Sequence, residues 1–287
     1  MVAKTVTLMI NSTFYDMMAE YRCFIEEVYP RLKEECQKYD IEINYRDVAF
    51  SVPRNEADKG ILLQDFRFID MDRTFFICFR GQKLGWRPKH TNINGFTIDE
   101  YPELVGYIGN VSITELAIMH ALTPFDRYVD GEKCDIKPAK HSLFYFRKPD
   151  YEKDLSGEVK HFYVNKSNGE LKEILDLEVA KAKDLIFETK HDLDKNSENS
   201  SRMIIRNYDA TWDENLNTFQ MFLDYVDEYS KIVKRPLDDF IEIHEEYLCR
   251  NADGALSELA FGGRPLGDVI YEDILNELKI EFPENFK

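Results

Sequence analysis

The residue whose type and spacing most directly suggest chemistry is Glu115, which ends the sequence Ser112-Ile113-Thr114-Glu115. A serine followed three residues later by a glutamate is the spacing of a helix capping box, in which the serine hydroxyl accepts a hydrogen bond from the N3 backbone N–H. The glutamate carboxylate accepts one from the backbone N–H of the serine in return. The spacing therefore predicts a helix that begins at Ser112 and carries a fixed, ionised carboxylate in its first turn.

A carboxylate fixed in this way could act in catalysis as well as in helix capping. Cleavage of the N-glycosidic bond of a nucleotide passes through a transition state with oxocarbenium-like positive charge, which a nearby carboxylate stabilises. Glu115 would then be the electrostatic or nucleophilic catalyst, and Ser112 and Thr114 would be positioning hydroxyls. Most serine–glutamate pairs at this spacing are helix caps without chemistry. The spacing by itself leaves both roles open.

A second feature is a cationic segment, residues 73–98, which contains no aspartate or glutamate although the whole chain has a net charge of −17. Glycines allow close backbone approach, cations pair with phosphate, and a tryptophan can stack on a base. The segment therefore predicts a loop that binds a nucleotide, with Gly81 and Gly85 in its backbone and Trp86 on the base. The phosphate contacts are assigned to Arg80, Lys83 and Arg87. In the alternative, Trp86 packs on the core and the cations solvate a loop.

The composition limits the class of partner. Aspartates and glutamates number 54 against 37 lysines and arginines, which argues against nucleic acid or an anionic membrane as the main partner. The five cysteines are scattered and lack the paired spacing of a zinc site or a disulfide framework, so no metal is expected. No bound cofactor is predicted either. The sequence shows no signal-like segment and no apolar run of membrane-spanning length, which favours a cytoplasmic location.

The elements that must position these residues alternate between strands and helices. Apolar, β-branched runs predict strands at residues 4–10, 41–50, 74–79, 142–147 and 203–206. Apolar residues at helical spacing predict helices at residues 17–32, 61–69, 112–122 and 170–186. The alternation predicts a three-layer α/β domain with a mainly parallel central sheet over residues 1–210. Ligands of such sheets bind beyond the carboxyl ends of the strands. Ser12, Thr13 and Asp16 follow the first strand there, with Ser12 or Thr13 as the cap of the next helix.

The remaining chain is predicted to be helical. Residues 191–201 have the composition of a loop, and only helical patterns follow residue 210. Those patterns lie at residues 216–226, 239–248 and 268–278. The sequence therefore predicts a helical extension over residues 211–287.

Four short motifs occur in a defined order along the first half of the chain. They read INSTFYDMMAE at residues 10–20, GQKLGWRP at 81–88, SITE at 112–115 and FYFR at 144–147. Together they resemble a domain family of unknown function found at the N-terminus of NACHT-type NTPases with WD or TPR repeats, such as nephrocystin-like and telomerase-associated proteins. The chain departs from the family pattern at several positions. Asn11 replaces a serine, Tyr21 replaces an arginine, and Ala117 replaces a frequent second glutamate, while Lys83 and Leu84 replace an arginine and a tyrosine.

The resemblance implies a fold similar to TIR and nucleoside deoxyribosyltransferase domains, with a flavodoxin-like sheet. In those domains a helix-borne glutamate near the strand ends performs N-glycosidic chemistry on NAD or nucleosides. By this likeness Glu115 is the catalytic residue, and NAD or a related nucleotide is a substrate. The chain would be an effector or signalling domain in immunity or stress, either as part of a NACHT-type protein or as a stand-alone relative.

Many TIR-like domains only assemble and signal, so a non-catalytic interaction domain is the alternative. Its partner would be a second copy of the chain or a NACHT or repeat module. Trp86 and Arg87 would then be contact residues, because tryptophan and arginine are enriched at the energetic centres of interfaces.

Overall fold

The centre of the fold is a parallel sheet in the computed structural model, which describes residues 4–13, 16–47, 61–155, 160–165, 170–195, 201–213, 256 and 258–287. Its strands are β1 (Lys4–Ser12), β2 (Ile41–Asp47), β3 (Thr74–Arg80), β6 (His141–Arg147) and β7 (Arg202–Tyr208). Two short antiparallel pairs lie outside it, β4 (Arg127–Val129) with β5 (Glu132–Cys134) and β8 (Ala260–Phe261) with β9 (Arg264–Pro265). The sheet has the order β2-β1-β3-β6-β7, and every neighbouring pair is parallel.

Helices occupy the connections between these strands. They are α1 (Met18–Arg22), α2 (Tyr29–Gln37), α3 (Ile61–Ile69), α4 (Gly95–Glu100), α5 (Ile113–Leu122), α6 (Lys160–Tyr163), α7 (Glu170–Lys195) and α8 (Leu266–Glu281). A π-helical stretch, Cys23–Val28, joins α1 to α2. None of the helices in the described ranges is long and apolar enough to cross a membrane.

The sheet is covered by helices on both faces. On one face, Val6, Leu8 and Ile10 of β1 share a core with apolar side chains of the Met18–Gln37 helical segment and of α8. On the other face, Met9 shares a core with side chains of α5 and α7. All residues of β3 and β6 are buried, which explains why those strands are apolar almost throughout. The predicted three-layer α/β fold with a parallel central sheet is confirmed.

The last helix of the predicted extension packs directly on the sheet. Ile270, Ile274 and Leu278 of α8 belong to the same core as β1, which confirms the helix predicted at residues 268–278. The helices predicted at residues 216–226 and 239–248 lie outside the described residues. The boundary at residue 210 therefore stays a prediction.

Two local predictions are wrong. Neither Ser12 nor Thr13 caps the first helix, because β1 continues through Ser12 and the helix begins at Met18 without a side-chain cap. The loop predicted from residue 191 is helical as far as Lys195, where a Lys190–Asp194 ion pair at i,i+4 spacing supports the last turns of α7.

Helix α8 is tied to the amino ends of the strands by carboxylates. Glu277 accepts hydrogen bonds from Arg202 Nε at 2.7 Å and lies 2.8 Å from His141 Nδ1. Glu281 lies 3.0 Å from His141 Nε2 and pairs with Lys140. Burial by itself raises the pKa of Glu277, but the bonds from His141 and Arg202 outweigh it, so this pKa lies below the ordinary 4.5. The pKa of Glu281 is lowered in the same way, against the opposing effect of burial, by Lys140 and His141.

These lowered pKa values predict a loss of stability in acid. Below pH 4.5, the ordinary glutamate pKa, the unfolded chain binds more protons than the folded one, so the contribution of Glu277 is lost as pH falls through its folded pKa. Glu277→Gln should cost on the order of 2 kcal/mol at pH 7, less than for a fully buried pair because Arg202 is half exposed. Urea unfolding between pH 7 and pH 3 measures both effects.

The matched control is Glu272→Gln on the same helix, which removes an exposed pair with Arg264 and should change stability little. A wild-type advantage over Glu277→Gln that is as large at pH 3 as at pH 7 would contradict the assignment.

Candidate functional site

The candidate site lies at the carboxyl ends of β1 and β3. From β1 the chain continues into helices on one face of the sheet, and from β3 it leads to α5 on the other face. Such a reversal opens a crevice between the two strand ends, which is where α/β sheets bind ligands. Ser12 ends β1 and Arg80 ends β3. The structure thus places these two predicted site residues on neighbouring strands at one edge.

The first turn of α5 is docked onto this edge. Asn11 Nδ2 donates to the carbonyl oxygen of Thr114 at 3.2 Å, and Thr114 Oγ1 donates to the carbonyl oxygen of Ser12 at 3.4 Å. The backbone N–H of Ile113 donates to the carbonyl oxygen of Trp86 at 3.0 Å. Ser12, Trp86 and the first turn of α5 therefore meet at the same edge, as their positions in the sequence predicted.

Glu115 forms a buried ion pair with Arg80. Its Oε1 accepts from Arg80 Nη2, and the two residues are only 5% and 2% exposed. Ser112 Oγ accepts from the Glu115 backbone N–H at 3.3 Å, so one half of the predicted capping box is present. The reciprocal half is not formed, because the carboxylate is directed to Arg80. Glu115 Oε2 and Arg80 Nη1 are buried without a hydrogen-bond partner.

Two arginines of the cationic segment are paired with acids from elsewhere in the chain. Arg80 pairs with Glu115, and Arg87 pairs with Glu178 of α7. Arg73 lies at the opposite edge, before β3, with its guanidinium carbon 5.7 Å from the ring centroid of Phe282. The assignment of Arg80, Lys83 and Arg87 to phosphate stays a prediction. Trp86 is 42% exposed, so its ring is not enclosed in the core, and its stacking on a base stays a prediction.

A second buried cluster, at the end of β6, escaped sequence reasoning. Arg147 donates to Glu20 Oε1 at 2.9 Å and to the carbonyl oxygen of Asp16 at 2.6 Å, and Tyr208 donates to Glu20. The guanidinium carbon of Arg147 lies 4.7 Å from the ring centroid of Tyr151. Burial by itself lowers the pKa of Arg147, but Glu20 and other neighbours hold it well above its ordinary value. An arginine that ends an otherwise largely apolar strand was the available signal.

Buried polar atoms without partners are concentrated at this edge. Among the described residues, Ser12 Oγ, Thr13 Oγ1 and both carboxylate oxygens of Asp16 have no hydrogen-bond partner, although Asp16 Oδ2 lies 3.7 Å from Arg147 Nη2 as an ion pair. Gly81 packs so closely here that a Cβ atom would lie 2.7 Å from Asp16 Oδ2. Buried polar groups normally have partners, so this set favours a site for a ligand rich in hydroxyl groups. No group of three metal-ligating side chains occurs in the part of the chain that the structure describes.

Comparison with known proteins finds a similar stretch in a much longer protein. The chain is 24% identical over 173 residues to a TPR repeat-containing protein of Dictyostelium discoideum, a match that covers 56% of this chain and 10% of that protein. The chain thus spans about a tenth of the length of this relative. No protein-family profile matches the chain, and no solved structure matches it. The resemblance to NACHT-associated domains stays a prediction.

The Arg80–Glu115 pair predicts strong coupling between the two residues. Glu115→Gln leaves a buried guanidinium without its counter-charge and should cost about 3–5 kcal/mol, and Arg80→Gln should cost about as much. The double variant removes both charges and should lie within about 1 kcal/mol of wild type. Urea unfolding of the three variants measures the coupling.

Ser112→Ala provides the control for capping alone, with an expected loss of about 1 kcal/mol. If Glu115→Gln is no more harmful than Ser112→Ala, the ion pair does not hold α5 to the sheet.

Proposed function

We propose that this chain is an effector or signalling domain of a NACHT-type NTPase system in the cytoplasm, and that it hydrolyses the N-glycosidic bond of NAD or a related nucleotide. The observation that carries the proposal is the position of Glu115. Its carboxylate is held by Arg80 through one oxygen and leaves the other without a partner, at the crevice where α/β sheets bind ligands.

The chemistry requires a fixed negative charge beside the anomeric carbon. Breaking the bond leaves its electron pair on the pyridinium nitrogen of NAD, so nicotinamide departs as a neutral molecule and positive charge develops on the ribose. The carboxylate of Glu115 stabilises that charge, and water adds to the same carbon and releases a proton. The products are ADP-ribose, nicotinamide and a proton. Arg80 orients the carboxylate, since a charged hydrogen bond restricts its rotation.

The other predicted site residues have roles in ligand binding. Ser12, Thr13 and Asp16 supply buried oxygens without hydrogen-bond partners, which suit the hydroxyl groups of a sugar, although Asp16 is also paired with Arg147. Trp86 exposes its ring beside the first turn of α5 and would stack on a base. Ser112 and Thr114 hold that turn in place through the bonds described above.

A non-catalytic interaction domain is the second candidate, and the burial of the Arg80–Glu115 pair favours it. A carboxylate that only connects α5 to β3 needs no substrate, and the exposed side chains of Trp86 and Phe96 would then contact a partner. Self-association or a NACHT or repeat module would supply that partner. The TPR repeats in the name of the Dictyostelium relative support a repeat-bearing context for either function.

Nicotinamide release from NAD tests the hydrolase proposal. Arg80→Gln keeps the carboxyl group of Glu115, whereas Arg80→Gln with Glu115→Gln replaces it by an amide and leaves a neutral pair. If the carboxylate is catalytic, the double variant should turn over about 10²-fold more slowly than Arg80→Gln, although it is the more stable protein. Turnover by chromatography and urea unfolding should be measured on the same preparations.

Glu272→Gln serves as a control with an intact site. Equal turnover by the single and double variants would make Glu115 a structural residue. Absence of nicotinamide release from wild type together with absence of ADP-ribose binding would favour the interaction domain.

A further inference from the structure

The loop that follows β3 lies against the first turn of α5, the turn that carries Glu115, to which the proposed function assigns catalysis. We propose that residues 81–89, the lid loop, form a lid over Glu115 that contacts with Asn165 and α7 hold shut. The proposal rests on the proposed function in one respect, namely that the group beneath the lid, Glu115, is the residue to which catalysis is assigned. Its test uses the opening of the loop, which can be measured without turnover.

The lid loop closes the N-terminus of α5. The carbonyl oxygen of Trp86 accepts from the backbone N–H of Ile113 at 3.0 Å. Gly85 approaches the helix so closely that a Cβ atom there would lie 2.7 Å from Thr114 Oγ1. The loop thus occupies the helix end that would otherwise attract an anionic ligand group. Glu115 belongs to the same first turn and is 5% exposed.

Asn165 holds the lid loop by its backbone. Its Oδ1 accepts from the backbone N–H of Leu84 at 2.9 Å, and its Nδ2 donates to the carbonyl oxygen of Gln82 at 3.3 Å. The same Nδ2 donates to Asp176 Oδ1 of α7 at 2.9 Å. One buried amide therefore connects two positions of the loop to α7, and Gln82 also forms a parallel bridge with Val164.

An ion pair at the far end of the lid loop forms a second attachment to α7. Arg87 pairs with Glu178, and both side chains are less than one-third exposed. Asp176 and Glu178 lie two residues apart in α7, so both attachments depend on the same stretch of that helix. Movement of this part of α7, on binding of a partner domain or a second copy, would release both attachments and expose Glu115.

Two variants break the attachments without changing any residue of the proposed site. Asn165→Ala removes the bonds to Leu84 and Gln82, and Glu178→Ala removes the partner of Arg87. Hydrogen exchange of the backbone amides of Leu84 and Ile113 should accelerate by about tenfold or more in Asn165→Ala, and by less in Glu178→Ala. The amides of β3 should keep their protection. The control is Asp268→Ala, which removes the carboxylate of an Arg31 ion pair far from the loop.

The possible results test the lid and the hydrolase activity independently of each other. Faster exchange confined to the lid loop and the first turn of α5, with several-fold higher nicotinamide release, supports both. Faster local exchange without nicotinamide release supports the lid and contradicts the hydrolase. Exchange at Ile113 that equals the Asp268→Ala control in both variants overturns the lid, whatever the turnover. If Asn165→Ala also accelerates the exchange of β3 amides, the whole domain opens in that variant. The exchange of Ile113 in Glu178→Ala then decides whether the lid exists.

Discussion

Burial of the sheet on both faces is the constraint on which the rest of this structure depends. Every residue of β3 and β6 is buried, so a charged side chain along either strand would lose its hydration without compensation. Charges are therefore confined to the strand ends. Arg80 and Arg147 lie at the carboxyl edge and meet Glu115 and Glu20, while His141 lies at the amino edge and meets carboxylates of α8. Both edges of the sheet are thus connected to the covering helices by ion pairs.

This arrangement explains how a chain with a net charge of −17 contains a segment without acids. Two arginines of that segment face carboxylates that are distant in sequence, Arg80 towards α5 and Arg87 towards α7. Removal of one partner from such a buried pair is costly, since the remaining charge is left uncompensated. An anionic ligand at Arg80 or Arg87 would therefore have to compete with carboxylates already in place.

The same ion pair bears on both proposed functions. As a catalyst, Glu115 needs a fixed charge, and Arg80 supplies that fixation together with the helix N-terminus. As a structural residue, Glu115 needs only to hold α5 on β3. The hydroxyls of Ser12 and Thr13 and the Oδ1 atom of Asp16 have no hydrogen-bond partner, which favours a ligand, because buried polar atoms in a purely structural contact are normally satisfied. Opening of the proposed lid would give a ligand access to Glu115, which is only 5% exposed in this structure.

The sequence by itself determined the five strands of the central sheet, most of the helices and the edge at which Ser12 and the first turn of α5 meet, but it missed the short strands β4, β5, β8 and β9. Hydrophobic periodicity is a local property, and strands joined through helices must run parallel, so their carboxyl ends share one edge. Only the tertiary structure decided the partners of the charged groups. Arg80 and Glu115 are 35 residues apart, and Glu20 and Arg147 are 127 apart. Such pairs depend on how helices pack across the sheet, because a carboxylate at a given spacing fits a helix cap and an ion pair equally well until its neighbours are in place.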